Sequence, residues 1–99
     1  MEKDKKTIDD RIRIALDNPS IPRISFNGFV SSLGTGDVLI VLENNQMPVA
    51  ILNASYTVSK TFAAKLTGLI ETLEKRSESN IMTTDEIEVF MSKENKDEK

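Results

Sequence analysis

Residues 37–54 read DVLIVLENNQMPVAILNA, two apolar stretches on either side of the polar pair Asn44-Asn45. Successive side chains of a strand point to opposite faces, and here both faces of both stretches are apolar. One hairpin beside one helix cannot bury that much apolar surface in a 99-residue chain, so the pattern predicts a second layer and a second subunit. Asparagine tolerates left-handed angles, so a two-residue type I′ loop at Asn44-Asn45 is the expected turn. It would place Glu43 opposite Gln46, Leu42 opposite Met47, Ile40 opposite Val49 and Val38 opposite Ile51. The other face would hold Val41 with Pro48, Leu39 with Ala50, and Asp37 with Leu52. Pro48 has no N–H to donate, which makes strand 47–53 either an edge or a strand with one gap in its ladder.

Working outward, residues 23–33 alternate as a further strand, with Ile24, Phe26, Gly28 and Val30 on one face and Ser25, Asn27, Phe29 and Ser31 on the other. The turn 33–37, LGTGD, joins it to the hairpin, and its two glycines are expected to supply positive φ angles. Near the N-terminus, Ile8, Ile12 and Leu16 recur at helical spacing over 7–17, and Asn18-Pro19 ends that helix. Downstream, Val58, Phe62, Leu66, Leu69, Ile70 and Leu73 follow the 3.6-residue period of a long helix capped by Ser55 or Asn53. Ala64 and Gly68, four residues apart, would let another backbone approach it closely; the alternative is a helix simply weakened by a glycine. Thr83 and Glu86 have capping-box spacing ahead of Ile87, Val89, Phe90 and Met91, which predicts a last, short helix. The expected fold is α+β: a three-stranded antiparallel meander packed by one long helix, with short N- and C-terminal helices. It forms a single domain over 1–99, with a core of about 7–91 and a flexible tail at 92–99.

The stretch 50–74, AILNASYTVSKTFAAKLTGLIETLE, resembles a family of short bacterial proteins of unknown function with paired strands followed by a long helix. The matching positions are Lys60, Phe62, Leu66, Ile70, Leu73 and Glu74. Ser59 stands where that family usually has alanine, and the proline that often opens its helix is missing. The resemblance implies the strand-to-helix fold and no chemistry.

Composition excludes several classes of function. A net charge of −3 and a pI near 4.9 argue against a duplex nucleic-acid binder that works through phosphate contacts. With no cysteine and no histidine there is no disulfide, no zinc-thiolate site, no histidine-based triad and no imidazole switch. No stretch approaches a membrane span, and the charged N-terminus lacks the apolar core of a signal peptide, so the expected compartment is cytoplasmic. No cofactor is implied and no metal site is expected, because the carboxylates Glu71, Glu74 and Glu78, and Asp85, Glu86 and Glu88, read as solvated helix faces. Phe26 and Phe29 read as core aromatics before they read as base-stacking platforms.

One polar cluster follows from topology. A meander gathers Thr35, Asp37, Asn53, Ser55, Tyr56 and Lys60 at one sheet end, beside Ser31 and Ser32. A helix N-terminus with hydroxyls and a lysine can hold an anion; the alternative is capping and surface. The leading expectation is a small non-catalytic, homo-oligomeric protein-interaction module, and not an enzyme. Its interface is expected at Leu39, Val41, Ala50 and Leu52, with Ala64 and Gly68 on the helix. One alternative is a small-ligand binder that sequesters a nucleotide or other anionic metabolite between subunits, as small phage- or bacterium-encoded regulators can. Another is an acidic inhibitor of a nucleic-acid-binding protein, motivated by the −3 charge of residues 80–99.

Overall fold

A computed structural model describes residues 7–97, with side chains through Lys93; the last residues of the expected tail, Glu98 and Lys99, lie outside the described residues. The elements in chain order are α1 (Ile8–Asp17), β1 (Gly28–Leu33), β2 (Asp37–Asn44), β3 (Met47–Ser55), α2 (Tyr56–Ser77) and α3 (Thr84–Asp97). The strands form one three-stranded antiparallel sheet in the order β1-β2-β3, so the class is α+β as expected. The chain divides into two compact units, Met1–Asn53 and Ala54–Lys99.

In the first unit, the Thr7 hydroxyl caps α1 by accepting from the Asp10 amide at 3.1 Å, and Asp9 and Asp10 lie in the positive first turn. The other end is closed by Arg23, whose Nη2 donates to the Leu16 carbonyl at 3.2 Å and places a cation at the negative helix terminus. The exposed Arg13–Asp10 pair, one turn apart, adds little.

The first strand is shorter than expected. Gly28 is the register partner of Glu43, yet the Asn27 amide also donates to the Glu43 carbonyl at 3.0 Å. Two residues opposite one make a bulge, and regular pairing stops there, leaving residues 23–26 outside β1. From Gly28 onward Phe29, Ser31 and Leu33 share a face with Leu42, Ile40 and Val38, and Val30 and Ser32 share the other with Val41 and Leu39.

The hairpin loop also falls one residue later than expected. Asn45 and Gln46 carry the positive φ angles, 52° and 70°, so Asn45-Gln46 and not Asn44-Asn45 is the type I′ pair. Long-range hydrogen bonds select this position. Asn27 Oδ1 accepts from the Asn45 amide at 2.9 Å, Asn27 Nδ2 donates to Asn45 Oδ1 at 3.0 Å, and Asn44 Nδ2 donates to the Ser25 carbonyl at 3.3 Å. A two-residue loop between Asn44 and Met47 brings Val49 opposite Leu42, where Met47 was expected. Each partner moves by two positions, which returns every side chain to its expected face.

The β1–β2 turn is built differently from its expectation too. Gly36 alone of the two glycines has positive φ, 101°. At Gly34 a Cβ would meet Asp37 Oδ1, the end of a side chain that would have to move aside.

In the second unit, α2 runs for 22 residues and ends in a Schellman turn. The Ser79 amide donates to the Glu74 carbonyl at 3.1 Å and the Glu78 amide to the Lys75 carbonyl at 3.3 Å. Glu78 sits in the left-handed region at φ 55°, where glycine is the unstrained residue. Glu78→Gly is therefore expected to stabilise the chain by about 1 kcal/mol, read as a raised urea midpoint at unchanged slope. Glu74 continues past the turn, its Oε2 accepting the Ile81 amide at 2.8 Å. The capping box of α3 is formed, with Glu86 donating its amide to Thr83 Oγ1 at 3.1 Å and Thr83 donating its own to Glu86 Oε1 at 2.7 Å. The helix that follows has 14 residues, so it is not clearly short, and it continues through Asp97 into the expected tail.

Burial departs furthest from expectation. Among the described residues Leu42 alone is a buried apolar side chain, at 7% exposure. The stripe of α2 has the expected phase, but Phe62, Leu66 and Leu73 keep 50%, 45% and 51% of their surface. Ile8, Ile12 and Leu16 of α1 are exposed, as are Ile87, Val89 and Phe90 of α3.

Candidate functional site

The residues expected to form an anion site are distributed over both units. In the first, Thr35 lies in the exposed turn before β2, where the Gly34 amide donates to the Asp37 carbonyl at 2.8 Å. Asp37 opens β2, and its Oδ2 accepts from Asn53 Nδ2 at 3.1 Å. Sheet topology does bring Asp37 and Asn53 together, and their bond gives that carboxylate a neutral donor.

In the second unit, Ser55 is the N-cap of α2 and its Oγ accepts from the Val58 amide at 3.1 Å. That bond serves one of the amides an anion would use, and it satisfies the capping alternative. Ser59 Oγ bonds back to the Ala54 carbonyl at 3.4 Å. Tyr56 and Lys60 are exposed in the first two turns of α2. No acidic residue occupies the first turn. The geometry on each side is that of caps and turns.

The expected interface residues differ in environment. Leu39, Val41 and Ala50 are half-buried and Leu52 is 40% exposed, on the sheet face opposite Leu42. Ala64 and Gly68 are exposed on α2. A Cβ added to Gly68 would meet no atom within 4 Å, so among the described residues no backbone uses the space beside it.

Two open depressions, both in the second unit, were not anticipated from the sequence. One, of about 630 Å³, lies at the end of α2 and is lined by Glu71, Glu74, Lys75 and Glu78 with Gly68 and Thr72. Part of its lining already serves the fold, since Glu74 holds the Ile81 amide and the Ser79 hydroxyl bonds to that of Ser77 at 2.8 Å. The other, of about 480 Å³, runs along α3 between Met82, Val89 and Phe90, with Asp85, Glu86 and Lys93 at its rim. Among the described residues no group of three carboxylates is arranged to hold a metal ion, and no helix is long and apolar enough to cross a membrane.

No protein-family model, curated protein or solved structure matches this chain.

Proposed function

We propose that this chain is a small, non-catalytic interaction module whose first partner is a further copy of itself. The observation that carries this reading is the burial of Leu42 alone among the described apolar side chains. Ordering one residue of backbone costs roughly 1–2 kcal/mol, and fully burying a large aliphatic side chain returns about 1.5–3 kcal/mol. A chain that leaves Phe29, Ile51, Phe62, Leu66 and Leu73 about half exposed or more has far too little burial to offset that cost alone. Association supplies the missing cover. In the assembled state a second copy covers apolar surface that each chain leaves exposed. The resemblance of residues 50–74 to short bacterial proteins with paired strands and a long helix belongs to the same reading.

Sedimentation equilibrium is the test. A dimer or larger species is expected at micromolar concentration. An 11.1 kDa monomer that persists at high protein concentration overturns the reading.

A further inference from the structure

We propose that two copies join edge to edge through β3, antiparallel about a two-fold axis at Leu52, to make one six-stranded sheet. This rests on the self-association reading and specifies its geometry. The sheet order β1-β2-β3 leaves β1 and β3 as edges. The two edges are not equivalent. The β1 edge begins at the Asn27-Gly28 bulge, a device that twists an edge strand away from further pairing. Strand β3, MPVAILNAS, is the longest of the three and carries no charge. Charged residues are the usual guard on an exposed edge, so β3 past Pro48 is open to another strand.

The usable length of that edge is set by chemistry at both ends. In a hairpin closed by a two-residue loop the flanking pair, Asn44 and Met47, exchanges both hydrogen bonds. Alternate residues, Pro48, Ala50, Leu52 and Ala54, then turn their backbone groups outward, and the Ala54 carbonyl, which accepts from Ser59 Oγ at 3.4 Å, has its second lone pair for a partner strand. Pro48 has no N–H to offer on that side, and at Tyr56 the backbone turns into α2. The open window is therefore 49–55, with Leu52 at its centre. A two-fold axis maps this window onto itself in one antiparallel register, with Leu52 opposite Leu52 of the second copy and Ala50 opposite Ala54. That register uses the whole window and leaves Pro48 outside the ladder. With no charged side chain in the window, no like charges meet across the axis.

The chain has no cysteine, so single replacements report directly on this register. Directly opposed residues in a hydrogen-bonded antiparallel pair have Cα atoms about 5.5 Å apart, within disulfide reach. The two copies of Ala50 would be four residues out of step, roughly 14 Å apart, and cannot be bridged. Under mild oxidation Leu52→Cys is expected to form at least about tenfold more covalent dimer than Ala50→Cys, and the double variant Ala50→Cys/Ala54→Cys is expected to link as well. Ala50→Pro removes an N–H that the hairpin does not use, and is expected to weaken dimerisation at least tenfold with an unchanged circular dichroism spectrum. If it fails to fold, the cysteine pattern decides alone. Equal linking by Leu52→Cys and Ala50→Cys in a protein that still sediments as a dimer overturns the edge pairing and leaves self-association standing. A monomeric wild type overturns both.

Discussion

Leu42→Ala is expected to cost roughly 2–5 kcal/mol of folding free energy, the range for truncating a large aliphatic side chain in a packed site. Leu42 is the one buried apolar residue described, at 7% exposure, in the central strand. Its cross-strand neighbours are Phe29 in β1, by direct register, and Val49 in β3, through the Asn45-Gln46 loop. Alanine there opens a void between the only two strand pairs of the sheet. Urea titration checks this, with Leu33→Ala as the control, since Leu33 lies on the same face at 78% exposure and has little burial to lose. Equal losses for the two variants would show that Leu42 is no anchor.

The second large effect concerns a side chain that the single chain leaves 45% exposed. Leu66→Ala is expected to cost about 2–5 kcal/mol once α2 is covered in the assembly, whereas Lys75→Ala changes stability by less than about 0.5 kcal/mol. The same chemistry makes stability depend on concentration, because association draws the folded state by mass action. The wild-type urea midpoint should rise with protein concentration, and that of Leu66→Ala should start lower. Were the α2 stripe to remain bare, alanine would cost little, its better helix propensity offsetting the lost contact. A near-zero loss at Leu66 together with a midpoint indifferent to concentration would refute the covered stripe.

The candidate site was legible in part. The pairing of Asp37 with Asn53 follows from a meander that returns β3 to the start of β2, and Ser55 is a cap by its residue type and position. Of the residues the sequence suggested as an anion site, Ser55 caps α2 and Asp37 accepts from Asn53, because Ser and Asn side chains satisfy nearby polar groups. The depression at the end of α2 includes Glu78 in its lining, and the left-handed turn at that residue was announced by no residue pattern, since glycine is the usual signal there.

By itself the sequence determined what backbone period and capping residues set. The 3.6-residue stripe of α2, the Thr83/Glu86 capping box and the grouping of side chains on the two sheet faces follow from backbone periods of a few residues. Only the tertiary structure decided where the hairpin turns and where β1 begins. Both depend on Asn27, eighteen residues away from Asn45 in the chain, whose side chain clamps Asn45 and whose amide doubles the bond to Glu43. It alone decided burial as well. Apolar periodicity specifies which face needs cover, but the cover comes from surfaces distant in the chain or on another copy, and among the described residues Leu42 alone receives it.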